Sequence, residues 1–262
     1  MLNTETILAA LPENMQNRKI IVLNETDSTN NLAKKLAADG AEHGTAVIAD
    51  TQSSGRGRLG RSFVSPPGCG LYMSVIIRPD FGISCAPLIT PCAACAAADA
   101  VEKLCGQAVG IKWVNDLYMN GRKICGILTE SAVSADLGSL EYAVIGIGIN
   151  VRSVRGIFDS TLARTATSVE DETGVQIDRS RLCAEILSSL ENCITELPNR
   201  GFLDAYRRRE ILTGHEISAN TGSENITGTA VGIDDNANLA VRLADGRELT
   251  LVSGEANLCR MI

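Results

Sequence analysis

At 262 residues, with 45% hydrophobic and 21% charged residues, the chain can bury a core of ordinary size and suits one domain with a small appendage. Its net charge of −7 argues against a broad basic face, and so against general binding to nucleic acid or to an anionic membrane surface. Any basic site must therefore be local.

The N-terminal stretch MLNTETILAALPENMQNRK has no basic region followed by a long apolar run, so it does not read as a signal peptide. No apolar stretch approaches the roughly 18 residues of a membrane span; the densest, ITPCAACAAADAVEKL, is interrupted by Pro91 and Asp99. Nine cysteines, an odd number scattered through apolar runs, suit a reducing cytoplasm. Cys92 and Cys95 form a lone CxxC without a second ligand pair, which reads as small core residues on an alanine helix rather than a metal site.

In chain order, a short helix is expected over 4–16 and a β-branched strand over 18–25. Asp27, Ser28 and Thr29 sit where a helix N-cap belongs, before NNLAKKLAADG with Gly40 at its C-cap. Strands follow over 44–52 and 71–79, then an alanine-rich helix over 87–105. Next come the strand AVGIKW, a turn-like VND, a hairpin around Asn120-Gly121, the strand KICGILTES and another over 142–151. The helices SVEDETG, SRLCAEILSSLENCITEL and GFLDAYRRREI complete this part, the second carrying Leu182, Ile186, Leu190, Cys193 and Leu197 on one stripe. From about Gly214, short strands separated by Asn-Gly-Asp turns give the pattern of a small barrel. The expected fold is α/β of the α+β type: a mixed sheet packed with helices over 1–213, then a small SH3-like β-barrel over 214–262.

Three constellations carry chemistry. SSGRGRLGR (53–61) alternates Gly55, Gly57 and Gly60 with Arg56, Arg58 and Arg61 directly after a strand. Glycines let backbone N–H groups approach an anion, and arginine forks match carboxylate or phosphate; a mobile solvated loop is the plainer alternative. Residues 55–60 also match GxGxxG, but no helix follows, so the match carries nothing. The second constellation is KWVND (112–116) before GRKICGILTE (121–130). Lys123 stands there beside Ile124, Ile127 and Leu128, and a lysine in apolar surroundings needs an anion: a ligand, or a salt bridge to Glu130 or Asp116. The third is GIGIN (146–150), whose glycines admit a ligand close to the backbone and whose Asn150 gives a polar tip, or which is a packed strand ending in a turn.

Taken together, DSTN (27–30), QSSGRGRLGR (52–61), LYMSVIIRP, KWVND, GRKICGILTE, GIGINV and SGE (253–255) resemble the biotin protein ligases in order and spacing, from about residue 19 to the C-terminus. The resemblance implies an ATP-dependent ligase that joins biotin to ATP as biotinyl-5′-adenylate, releasing pyrophosphate. It then passes biotin to one lysine of a carrier domain on a biotin-dependent carboxylase. It implies biotin binding by Ser28, Thr29, Asn30, Gln52, Gly55, Arg56 and Lys123. Arg58, Arg61, Lys112, Asn115, Asp116 and Asn150 are implied at the nucleotide. Lys123, Arg58 and Arg61 are implied as the catalytic cations, and Mg²⁺ comes with the ATP phosphates rather than in a protein cage. The glycine-arginine loop becomes a lid that closes over the adenylate and keeps water from it. A carboxylate at Asp116 suits orientation of the incoming lysine.

Val114 stands where many members have proline, and Phe63 where many have tryptophan. GEANLCR places Arg260 one residue late relative to Glu255, and neither is given a catalytic role. About 18 residues precede the first core strand, too few for the DNA-binding domain that some members carry, so the single-function form, without a DNA partner, is expected. The resemblance also implies a homodimer through the central sheet, with 142–151 as the surface. Two rival readings stand beside it: a lipoate or octanoate protein ligase, and a non-catalytic biotin sensor.

Overall fold

The computed structural model describes residues 2–134, 139–220 and 224–259. Its elements are α1 (Thr4–Ala10), β1 (Ile20–Thr26), α2 (Thr29–Ala38), β2 (Ala46–Gln52), β3 (Gly70–Ile77), α3 (Ile89–Cys105), β4 (Gly110–Lys112), β5 (Asp116–Met119), β6 (Arg122–Val133) and β7 (Leu140–Asn150). There follow α4 (Leu162–Thr165), α5 (Val169–Thr173), α6 (Arg179–Thr195), α7 (Leu203–Arg209), β8 (Glu216–Asn220), β9 (Asn225–Ile233), β10 (Leu239–Leu243), β11 (Glu248–Leu251) and β12 (Glu255–Leu258).

A seven-stranded sheet runs β1-β2-β3-β7-β6-β5-β4, parallel only between β1 and β2. The pleat assigns each residue to a face. Ile48, Met73, Val75, Ile145, Ile147 and Ile149 point to one side, where they pack with α1, α3 and α6. Val47, Ile76 and Val144 point to the other, where only α2 covers them through Ala33 and Ala37. Beyond α2 that second face turns small and polar, with Ser74, Gly146, Gly148 and Gly126, and it stays open as a cleft.

The expected elements are present, with four differences. Helical structure runs unbroken over Ile83–Cys105 and is, by length and composition, apolar enough to cross a membrane. The sequence places this helix over 87–105 and takes Pro91 and Asp99 as breaks only in its apolar run; Pro91 falls in the first turn of α3, where its missing N–H costs nothing. Twelve of its residues, from Ile89 to Cys105, are buried in the core, Cys92 and Cys95 among them. Asp116 opens β5 rather than closing a turn. Two elements were not anticipated, α4 and β12. Finally, β7, expected over 142–151 as a dimer surface, is an interior strand hydrogen-bonded to β3 and β6. No edge of it is free to pair a second copy.

The C-terminal strands form an antiparallel sheet in the order β11-β10-β9-β8-β12, the small SH3-like module that the turns foretold. It is fastened to the main sheet at KWVND. Trp113 is buried and donates Nε1–H to Ala237 O of the module (2.9 Å), while Tyr206 of α7 ties the same segment to the helices by donating its hydroxyl to Val114 O (3.2 Å). Ile217, Leu239 and Val241 join the same apolar core as the helices.

Candidate active site

Glycine placement shapes the floor of the cleft. Gly126 on β6 and Gly148 on β7 are direct cross-strand partners, with Tyr72 of β3 and Asp116 of β5 next in the row. The Phe63 ring lies over this two-glycine window: a Cβ on Gly148 would stand 2.8 Å from it. Gly146 makes room for Asn30, whose Oδ1 would meet a Cβ at 2.1 Å. Side chains on those strands would fill the space that a ligand needs.

Over this floor the arginine loop folds back as a tight hairpin. Phe63 donates its N–H to Gly55 O (2.9 Å), Gly57 donates to Arg61 O (2.7 Å), and Arg58–Gly60 make a 3-10 turn at the tip. Gly55 is required by this closure, since a Cβ there would lie 2.3 Å from Phe63 O. Among the residues expected at the ligands, Gly55 alone lines none of the three connected cavities.

The first cavity, about 480 Å³, is lined by Ser28, Thr29, Asn30, Gln52, Arg56, Arg58, Asn115 and Lys123 above the floor of Tyr72, Gly126, Gly146 and Gly148. Its polar end is pre-arranged. Gln52 Oε1 accepts the Thr29 backbone N–H (2.9 Å), so a side chain from β2 satisfies the N-terminus of α2. Ser74 donates to Asn30 Oδ1 (2.6 Å), and Asn30 Nδ2 reaches Glu130 (3.0 Å) and Leu128 O (3.3 Å). Asn30 thus acts on the cavity by fixing its neighbours. Glu130, which sequence reading offered as a partner for Lys123, instead takes Lys34 (2.7 Å) and Arg56 (3.0 Å).

The second cavity, about 570 Å³, is lined by Arg58, Arg61, Lys112, Asn115, Asp116, Lys123 and Glu255. Lys123 Nζ is 2.7 Å from Asp116 Oδ1, the salt bridge foreseen as an alternative to a ligand. Arg58 donates to Asn115 Oδ1 (2.9 Å) and Gly254 O (3.1 Å). Arg61 makes a forked pair with Glu255 at 2.9 and 2.5 Å, which holds the Glu255 carboxyl below its ordinary value. Burial pulls the Lys112 ammonium down from its usual range, and its Nζ donates to Asn257 Oδ1 (2.6 Å). β12 therefore supplies the outer wall of this cavity, a contribution that SGE alone did not reveal. Arg260 lies outside the described residues.

The third cavity, about 430 Å³, adjoins through Phe63 and Lys123 and is walled by Val64, Phe158, Leu162 and Ala166, with Asn150 at its base. Asn150 donates Nδ2–H to Thr167 O (2.9 Å), and its Oδ1 is the one buried side-chain N or O atom without a partner among the described residues. A buried, unpaired acceptor fits a ligand that brings an N–H. Phe158 and Leu162 lie in the 151–166 stretch, where no motif marked them.

Phe63 and Lys123 stand at the junction of all three cavities. The arrangement can hold a small, mostly apolar acid end to end with a polyphosphate under a ring of fixed cations. That is the task of an acyl-activating ligase. Residues 22–150 match the biotin/lipoate A/B protein ligase family, and residues 213–258 match the biotin protein ligase C-terminal domain. The bifunctional ligase/repressor BirA of Bacillus spizizenii is 34% identical over 94% of this chain and 76% of its own length. The biotin–[acetyl-CoA-carboxylase] ligase of Paracoccus denitrificans is 34% identical over 87% of this chain and 96% of its own. Among solved structures, biotin protein ligase from Aquifex aeolicus in complex with biotin and ATP superposes with a TM-score of 0.77 at 28% identity, covering 92% of this chain and 99% of that one. The chain belongs to the biotin/lipoate A/B protein ligase family, on its biotin protein ligase branch.

Proposed function

We propose that the chain activates biotin with ATP and transfers the biotinyl group to a lysine on the carrier domain of a biotin-dependent carboxylase. The observation that carries this reading is the sharing of Arg58, Asn115, Phe63 and Lys123 between the first and second cavities. An acid in one and a polyphosphate in the other meet at those side chains.

In the first half-reaction a biotin carboxylate oxygen attacks the α-phosphorus, and the bond to pyrophosphate breaks. Lys123 stands where both anions converge and offsets their repulsion; Arg58 and Arg61 do the same along the phosphates. Arg56 closes the lid over the biotin end, with Ser28, Thr29 and Gln52 at the polar head. Asn115 is a positioning residue: its Oδ1 holds Arg58, and its Nδ2 donates to Ile127 O (2.9 Å) and Asp116 (3.1 Å). Lys112 backs the phosphate end. The apolar third cavity suits adenine, with Asn150 Oδ1 accepting from its exocyclic amine. In the second half-reaction the acceptor amine attacks the acyl carbon and AMP leaves; Asp116 orients that amine.

Among the described residues no cluster of three or more His, Cys, Asp or Glu is placed to hold a metal ion. Asp116, beside the phosphate cavity, suits Mg²⁺ bound through the substrate's own phosphates, where it neutralises charge. We divide the chain at 213/214 into a catalytic domain and the SH3-like module. A net charge of −7 supports no DNA partner, and nine unpaired cysteines support a cytoplasmic setting. A homodimer would pair through a surface other than an edge of β7.

The test is to supply biotin, lipoate or octanoate with Mg·ATP and to measure acyl-adenylate and pyrophosphate. Adenylate is expected from biotin alone. In Lys123→Ala it should fall by roughly 10²–10³, the usual cost of losing one group that stabilises developing charge. Adenylate from lipoate or octanoate instead would overturn the biotin assignment, and none from any acid, with biotin still bound, would make the chain a sensor.

A further inference from the structure

Six large hydrophobic side chains are exposed among the described residues: Leu59, Val64, Ile83, Val133, Ile157 and Val252. Four of the six sit on the loops that frame the cavities. Leu59, at the lid tip, lines the phosphate cavity, and Val64 lines the third cavity. Ile157 precedes Phe158 of the third cavity, and Val252 lies two residues before Gly254 of the second. Ile83 and Val133 stand elsewhere, ahead of α3 and at the end of β6.

The exposure is greatest at Leu59 (74%) and Val252 (71%), on the lid and on the C-terminal module respectively. Their loops touch, since Arg58, next to Leu59, donates to Gly254 O at 3.1 Å. Leu59 is also held at φ 55°, ψ 35°, a left-handed conformation in which leucine's Cβ crowds its own backbone; glycine escapes that crowding and asparagine tolerates it better. Folding therefore gains neither burial nor backbone ease from leucine here. Isolated exposed apolar residues are ordinary, but four on the loops that carry the cavity-lining residues have the composition of an interaction rim.

We propose that Leu59, Ile157 and Val252 form an apolar docking rim for the acceptor carrier domain. The inference rests on the ligase reading above, because the occupant follows from the reaction. An acceptor lysine has to reach the acyl carbon near Lys123 and Asp116, so the folded surface that presents it must press on the loops at that mouth. The rim is continuous with the site the lysine enters, and it fits a domain whose lysine is flanked by apolar residues. Small substrates pass inside the rim; a protein substrate rests on it.

Val252→Asp and Ile157→Asp test this, since both positions are exposed and neither lines a cavity. The probe is the lysine-bearing carrier domain of a bacterial acetyl-CoA carboxylase. Its direct binding to the full chain is measured first, independent of any chemistry. Each variant should bind it at least tenfold more weakly than the parent; affinity within twofold, or no binding by the parent, overturns the rim. Transfer from chemically prepared biotinyl-adenylate is then compared for the carrier domain and for hydroxylamine, which needs no docking. The apparent KM for the carrier should rise tenfold or more, with the hydroxylamine rate and pyrophosphate release unchanged. Equal loss with both acceptors would overturn the rim. Failure of the parent to release pyrophosphate with biotin would overturn the ligase reading instead and leave the binding result to decide the rim.

Discussion

At the residue scale, Asn150 gives the sharpest handle on nucleotide choice. Its Nδ2 is committed to Thr167 O, so the amide cannot flip without losing that bond, and Oδ1 is left as a buried acceptor without a partner beside the third cavity. ATP brings an N–H to it, whereas ITP presents a carbonyl oxygen. Removing a partner from a buried polar group costs about 1–3 kcal/mol, so ITP should support pyrophosphate release with a kcat/KM roughly tenfold or more below that of ATP. In Asn150→Ala the preference should nearly vanish, because ATP loses its advantage. Equal use of ATP and ITP by the parent would remove adenine from this cavity. Sequence alone offered Asn150 either as a polar tip for a ligand or as a turn residue. The structure adds an unpartnered Oδ1 to that choice, and no motif records a missing partner. Lys123 was read in the same open way, and its link to Asp116 is settled by the β5–β6 register, which places Tyr118 opposite Lys123 and Gly126 opposite Asp116.

Among the elements, those read from strong periodicity are present: α2, α3, α6, β2, β3, β6 and β7 all match runs with one apolar face or continuous burial. α4 and β12 were missed because they are four residues each and owe their form to neighbours, β12 to its pairing with β8. One interlock between elements is invisible in the sequence. Arg18, before β1, and His43, before β2, both reach Glu191 on α6, at 2.7 and 3.1 Å. His43 Nδ1 accepts the Arg78 N–H (3.2 Å), so its ring proton sits on Nε2 and is donated to Glu191. The hydrogen bond from His43, reinforced by Arg18, lowers the Glu191 carboxyl to about 2 from an ordinary 4.5. A depressed carboxylate contributes its full stability above its unfolded value and loses it as the pH falls towards the folded one. Glu191→Gln should therefore destabilise the protein at pH 7 by roughly 2 kcal/mol, after discounting for partial exposure. The gap from the parent should close between about pH 4.5 and 2. Chemical denaturation of both proteins across that range checks it, and a constant gap would place the effect in packing rather than charge.

For the whole molecule, the question is whether the SH3-like module is an ornament or part of the catalytic body. The turn pattern after Gly214 made it legible as a separate unit, since each strand alternates over a few residues. Its attachment was not legible, because the attaching groups are scattered along the chain. Trp113 passes beneath Ala237, and Arg61 is forked to Glu255. Lys112 reaches Asn257, and Arg207 reaches Asp235 (2.6 Å). Three of these four anchors, Trp113, Arg61 and Lys112, line the second cavity, so displacing the module would unseat cations as well as expose apolar surface. A module sharing one apolar core with the helices should unfold with them. Trp113 is the only tryptophan, so its emission reports the junction specifically. In a denaturant titration the red shift of Trp113 should coincide with the loss of helical circular dichroism, which arises from the main domain. Glu255→Ala should shift both curves together by a small amount, because the Arg61 fork is largely exposed and such pairs contribute about 0–1 kcal/mol. Its effect on the KM for ATP should be the larger one, since Arg61 then loses the partner that orients it towards the phosphates. If the tryptophan shift instead precedes the helical transition, the module undocks alone, and the outer wall of the phosphate cavity is a movable part.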